Sequence, residues 1–321
     1  MSFIKIGVQQ SPTHHTLPAE SALAWEGDEY RPSGVIASSS LAEGKRRLCG
    51  SPECANGWTM PWRSRRRPIF EGQWGCSGRC VLAMARAAVR REWGVTTSVV
   101  AYRHRVPLGL VMLAQGWITQ AQLRRALDAQ RENGTGRIGD WLISECGVDP
   151  EHVTRGLSVQ WNCPVLTTEG FTPEAMGFVM PRLFVEKFGL LPLRVAGSRI
   201  LYLGFEDKLD ASVALAVEQM TELQAVSGLV SAAQFRVARS RLMDCDAVAA
   251  RVQSVMDSDA LAAQITAILE HKQPIESRLV RLHGYYWLRT WMERGARGKV
   301  GSLPATAEDV KDYIFTLGTT A

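Results

Sequence analysis

Between residues 107 and 160 the hydrophobic positions follow one rhythm twice. The first stretch is PLGLVMLAQGWITQAQLRRALDAQ (107–130) and the second is RIGDWLISECGVDPEHVTRGLSVQ (137–160). Leu108 and Gly109 answer to Ile138 and Gly139, and Met112 and Leu113 to Leu142 and Ile143. Leu123, Leu127 and Gln130 answer to Val153, Leu157 and Gln160. Gly147 falls one position later than Gly116 does, so the second copy carries one extra residue before its glycine and one fewer before its second helix. Each copy predicts a short helix, a glycine turn and a longer helix, with apolar residues three and four apart on one face. Thr119 with Gln122 forms a capping box for the second helix of the first copy. Asp149 caps its counterpart, and Pro150 fills the first helical position, where its missing N–H costs nothing. Two such copies predict a small four-helix unit.

Downstream the period changes. Residues 161–242 read as a helix near 173–188, strands in LLPLRVA and RILYLGF about the turn Gly197-Ser198, a helix in ALAVEQMTE, a short strand in LQAVSG and a closing helix in SAAQFRVARSRLM. This order predicts a small α/β sandwich. Residues 243–321 read as a helical C-terminal region, with helices at 245–257, 259–271 and 275–294, a Gly-rich break at 295–301 and a short helix from 306. Tyr285, Tyr286, Trp287 and Trp291, interleaved with Arg281, Arg289 and Arg294, form a stripe that suits a protein interface or a core. Upstream, VLAMARAAVRREW predicts a helix with Val81, Met84 or Ala85, and Ala88 on one stripe, and residues 1–45 show no stable period and read as a flexible arm. The expected fold class is α/β (α+β). It comprises a duplicated helical repeat, a small α/β sandwich, a zinc-type N-terminal segment over 46–104 and a helical tail, with 105–242 as the central domain.

Composition adds three things. At 321 residues and 46% hydrophobic the chain has enough apolar surface for a folded core. Its net charge of +5 and pI near 8.9 permit an anionic partner without requiring one. The excess sits in an arginine-heavy block that includes Arg63, Arg65, Arg66 and Arg67. No stretch approaches the roughly 18 apolar residues that cross a bilayer, and neither a membrane span nor a secretory signal is expected, which places the chain in the cytoplasm.

Four of the seven cysteines group as Cys49-x4-Cys54 and Cys76-x3-Cys80. Two close pairs separated by room for a hairpin, with Pro68-Ile69-Phe70-Glu71 and Trp74 as strand residues, bring four thiolates to one tetrahedron around a structural Zn2+. The segment is poor in aliphatic residues before position 81, and a metal supplies folding energy that burial cannot. The alternative is four incidental thiols. His14 and His15 in the arm read as no site.

Gly109 and Gly139 stand at helix starts, where a missing side chain lets a ligand approach backbone, and Arg137 is placed to reach a phosphate or a guanine edge with its forked donors. The doubled pattern resembles the N-terminal (MshEN or GspE N-terminal) domain of type II secretion and type IV pilus assembly ATPases. The likeness runs over about 107–242, and MPRLFVEKFGLLPL (180–193) carries it in the α/β half. Some members of that class bind cyclic di-GMP. The resemblance therefore implies a ligand set of Leu108, Gly109, Leu113 and Gly116 with Arg137, Ile138, Gly139, Leu142 and Gly147. Pro107 stands where the binding pattern has Arg, and the second glycine is displaced.

The sequence contains no G-x-x-x-x-G-K-[ST], so it lacks the Lys and hydroxyl of a P-loop. Glu206, Asp207 and Asp210 lie where a strand hands over to a helix and read as capping acids, not a catalytic pair. Cys163 reads as a buried thiol. The expectation is a non-enzymatic regulatory or adaptor protein that binds cyclic di-GMP or docks on a secretion, pilus or signalling component. A zinc-dependent nucleic-acid-associated protein using Arg63 to Arg67, and a purely structural adaptor, are the alternatives.

Overall fold

The computed structural model describes residues 49–54, 68–94, 105–197, 199–292, 303–304 and 306–318. The arm, His14, His15 and the Arg63–Arg67 run lie outside the described residues. The first described strands form a hairpin of β1 (Ile69–Phe70) and β2 (Gln73–Trp74), whose turn residues Glu71 and Gly72 both have positive φ, as a two-residue hairpin turn requires. Helix α1 (Gly78–Gly94) follows.

The repeats form α2 (Leu108–Ala114), α3 (Gln120–Asn133), α4 (Ile138–Cys146) and α5 (Pro150–Trp161). The capping box at Thr119 is present, and Asp149 accepts from the Glu151 N–H with Pro150 inside the first turn. The offset glycine also has its structural cause. In copy one, Trp117 N donates to Met112 O; in copy two, Val148 N donates to Leu142 O, so the extra residue is absorbed in the last turn of α4. Met112 and Leu142, at matching positions, are both fully buried. The copies interlock: α2 packs on α5 and α3 on α4, around a core of Leu108, Met112, Ile118, Ala126, Leu142, Val148 and Val153.

The α/β half contains α6 (Pro173–Met176), α7 (Arg182–Phe188), β3 (Leu190–Ala196), β4 (Ile200–Phe205), α8 (Ala211–Thr221), β5 (Gln224–Leu229) and α9 (Ala232–Asp244). The single helix expected near 173–188 is two, because Pro181 lacks the N–H and restricts Met180, ending one segment and starting the next. Strands β3 and β4 are antiparallel, with a register shift at Pro192, and β4 and β5 are parallel.

The C-terminal region departs from the helical expectation. Among the described residues past α9, the helix expected at 259–271 is present, as α10 (Ser258–Lys272). The expected helices at 245–257, at 275–294 and from 306 are instead strands β6 (Ala250–Val255), β7 (Glu276–Leu282), β8 (Tyr285–Trp291) and β9 (Val310–Leu317). They form a sheet of order β6-β9-β8-β7, parallel between β6 and β9 and antiparallel elsewhere. Its centre is buried on both faces, so the alternation of a half-buried strand is hidden and the apolar run mimics a helix. Leu279, Tyr286, Leu288, Tyr313 and Phe315 meet α1 and α10, whereas Val280, Trp287, Trp291, Val310 and Ile314 join the core of the α/β half. The aromatic stripe is thus core. On the second face Arg289, 2% exposed, makes a bidentate pair with Asp312 (2.8 and 2.7 Å), donates to Val179 O (3.0 Å), and shares Asp312 with the Trp287 indole N–H (2.8 Å).

The segment before the repeats does not stand alone. Helix α1 packs on α10, β1 lies along the edge of β7 with Glu71 N donating to Ser277 O (2.8 Å), and Ser277 Oγ donates to Ile69 O (2.8 Å). Residues on either side of the repeat and α/β half therefore share one core.

Candidate functional site

Two arrangements carry chemistry. In the first, Cys49 and Cys54 flank a tight turn in which Cys54 N donates to Ser51 O (3.2 Å) and Gly50 N donates to Trp74 O (2.8 Å), pinning the turn to β2. A side chain at position 50 would meet Gln73 Cβ at 2.6 Å, so glycine is required for this approach. Cys76 follows β2 and Cys80 sits in the first turn of α1. All four Sγ atoms lie within 4.8 Å of one another, with Cys54 to Cys76 at 3.5 Å and Cys76 to Cys80 at 3.4 Å. Thiolates bound tetrahedrally at a zinc–sulfur distance of about 2.3 Å stand roughly 3.8 Å apart, so the spacing fits such an ion. Cys76 N also donates to Cys49 Sγ (3.3 Å), which ties the two cysteine pairs together. Burial first, then its thiol neighbours, pushes Cys76 up to about 12. Burial also opposes ionisation of Cys80, but hydrogen bonds from Ser77 and the other thiols outweigh it and bring that thiol down to about 7.

The second arrangement is the repeat pair. Gln130 Nε2 donates to Gly136 O, just before copy two, and Gln160 Nε2 donates to Val106 O, just before copy one, both at 2.8 Å. Each copy thus clamps the start of the other about a pseudo-twofold axis. Neither bond was legible in the sequence, although the matched glutamines were. Leu108, Gly109, Gly139 and Leu142 are buried, Leu113 and Ile138 are half-buried, and Gly116 and Gly147 are exposed with φ of +71° and +62°. The two helical glycines have a packing role: a Cβ at Gly109 would lie 2.5 Å from Leu123 Cδ1, and one at Gly139 would lie 2.9 Å from Val153 Cγ1. The direction expected to admit a ligand is filled by the matched residue of each longer helix.

Arg137 starts α4 with an exposed side chain that pairs with Asp207, and that bond raises its pKa. Asp207 was read as a capping acid; Asp210 alone caps α8, accepting from Ser212 and Val213 N–H, and also meets His283 Nε2 (2.8 Å). Beside them Glu206 is held above the usual carboxylate range by burial and then by Asp207. At the start of copy one, Arg105 lies over the Trp161 ring, 3.1 Å from its centroid.

The duplicated helical unit, continued into a small α/β half, resembles the N-terminal domain of type II secretion and type IV pilus assembly ATPases. No family model matches the chain. The type IV pilus assembly ATPase PilB of Myxococcus xanthus (strain DK1622) is 30% identical over 96 residues, 29% of this chain and 17% of that protein, so the chain spans under a fifth of that relative's length. Similar solved structures include MshE with cdg (23% identity, TM-score 0.36, covering 43% of this chain and 99% of that one). They also include the N-terminal domain of XpsE (18%, TM-score 0.31, 42% and 92%). Among the described residues no helix is long and apolar enough to cross a membrane.

Proposed function

We propose that this chain is a non-catalytic regulatory or adaptor protein of the cytoplasm, whose repeat pair binds cyclic di-GMP and passes its occupancy to a protein partner of a secretion, pilus or signalling assembly. The observation that carries the reading is the reciprocal glutamine clamp, which relates the two copies by a pseudo-twofold axis. A ligand made of two identical halves suits such a frame. Leu113 and Gly116 would line one half and Ile138 and Gly147 the other, over a floor of the buried Leu108, Gly109, Gly139 and Leu142. Arg137 would offer its forked donors to phosphate or guanine once released from Asp207. The absence of a P-loop in this sequence agrees with a part that senses and does not hydrolyse. In this reading Cys49, Cys54, Cys76 and Cys80 hold a structural Zn2+, with no coordination position left for substrate.

The test is calorimetric titration of the metal-loaded protein with cyclic di-GMP, with GTP as control. Micromolar binding that Arg137→Ala abolishes supports the reading. Absence of heat at high protein concentration rejects the ligand and leaves docking on a protein as the function.

A further inference from the structure

The two edges of the C-terminal sheet are treated differently. The β7 edge is covered by β1, through the bonds from Ile69 and Glu71 to Pro274 and Ser277. At the other edge, no described residue hydrogen-bonds to the outer side of β6. The ladder to β9 uses the odd residues: Asp312 N donates to Ala249 O and Gly318 N to Val255 O, in a register that pairs Ala250 with Asp312 and Val255 with Leu317. The N–H and C=O groups of Ala250, Val252, Ser254 and Met256 therefore point outward. Edges of this kind are normally blunted by proline, a bulge or several charges. Here the register is unbroken, Arg251 is the one charge of the strand, and Val252 and Met256 are 58% and 80% exposed.

We infer that β6 is the surface through which two copies of this chain pair, antiparallel about Ser254, joining their four-stranded sheets into one. Outward-pointing residues must oppose outward-pointing residues, which restricts the twofold centre to a few registers. The one centred on Ser254 places Val252 opposite Met256 of the second copy, so the two exposed apolar side chains cover each other. It also places Arg251 opposite Asp257, which keeps a carboxylate oxygen beyond the one that accepts from Ala260 N. Shifting the centre to Gln253 sets Val252 against Ser254 and Arg251 against Val255, and loses both complementarities. Gln253 accepts from Gln264 on α10 (3.2 Å), so the odd residues face α10 and the Val252–Ser254–Met256 stripe lies on the opposite face, continuous between copies.

The mass of the full, metal-loaded chain is measured by light scattering across a concentration series, beside two variants. Val252→Pro removes an outward N–H without touching the β9 ladder, a change that edge strands tolerate. Ser254→Cys puts two thiols across the twofold, where opposed residues of a hydrogen-bonded pair sit about 5.5 Å apart, within disulfide reach. The expected result is a dimer of the 35.4 kDa chain, with dissociation raised roughly tenfold or more by Val252→Pro as two symmetric bonds are lost. Ser254→Cys should give a reducible covalent dimer that the parent does not form. Circular dichroism checks that Val252→Pro folds, and Met256→Lys gives a second, side-chain disruption. A monomer at all concentrations overturns the inference, as does a dimer untouched by Val252→Pro and Met256→Lys and not captured by Ser254→Cys. A monomer that dimerises when residues 1–48 are deleted also overturns it, by showing that the chain's own arm takes the edge.

Discussion

Asp312 is the residue on which most depends. It is fully buried, and its two oxygens receive two bonds from Arg289 and one from Trp287, while Arg289 reaches Val179 in the α/β half. Removing one partner strands an ion in an apolar core, so Asp312→Ala should lower unfolding free energy by about 3–5 kcal/mol, read from urea midpoints. Gly109→Ala and Gly139→Ala press a methyl into Leu123 and Val153, and each should cost about 1–3 kcal/mol whether or not any ligand is added. A purely ligand-facing glycine would instead show a change in affinity with unchanged stability. Glu206 works in the opposite sense. Its pKa is raised on folding, so its folded form gains stability as pH falls and is penalised above that raised value. Glu206→Gln should stabilise at neutral pH by roughly a few tenths of a kcal/mol, since the group is partly solvated, and the gain should vanish in acid where the carboxyl is already neutral. Thermal melts at pH 7 and pH 4 separate these cases.

At the scale of elements, the matched glutamines give a symmetric prediction. Gln130→Ala and Gln160→Ala each remove one bond to a backbone carbonyl and should each cost about 1 kcal/mol, with increased amide exchange at the start of the opposite copy in each case. This reciprocity was invisible in the sequence, which records that Gln130 and Gln160 match but not that each reaches across to the other repeat. The helix–turn–helix order of each repeat and its caps were legible, because local periodicity and capping chemistry settle them, although α3 runs past the repeat to Asn133. The cysteine quartet was legible as well, since close pairs flanking a hairpin leave few geometries. The C-terminal strands were not. Strands β7, β8 and β9 meet apolar neighbours on both faces, and what separates them from helices is pairing partners far along the chain. The pairing of Arg137 with Asp207 escaped for the same reason: nothing local to either residue announces the other.

At the scale of the molecule, the thiol cluster fastens a turn, a hairpin and α1 to one another, and α1 in turn lies over α10 and the four-stranded sheet. Stripping metal from the protein with a chelator should therefore loosen residues 49–94 together with α10 and β7, seen as faster hydrogen exchange there. The repeat pair, whose core is separate, should keep its protection. Loss of one zinc equivalent alongside that pattern is the expected outcome, and uniform exchange with no metal released would count against a metal at the cluster.

The core shared by α1 and the C-terminal sheet also sets an order of events during synthesis. Helix α1 leaves the ribosome with Val81, Met84, Ala85, Ala88 and Val89 exposed, and its partners Leu261, Ile265, Leu288 and Phe315 follow only after the repeats and the α/β half have emerged. Those intervening elements complete local contacts first, and contacts between distant segments form last because the loop between them must be closed. A nascent chain halted before α10 therefore carries a closed repeat pair, an α/β half still lacking Val280, Trp287 and Ile314 from its core, and an unsatisfied apolar helix. That is the interval in which this protein is most exposed to chaperones, to proteases and to mispairing with a neighbour on the same messenger.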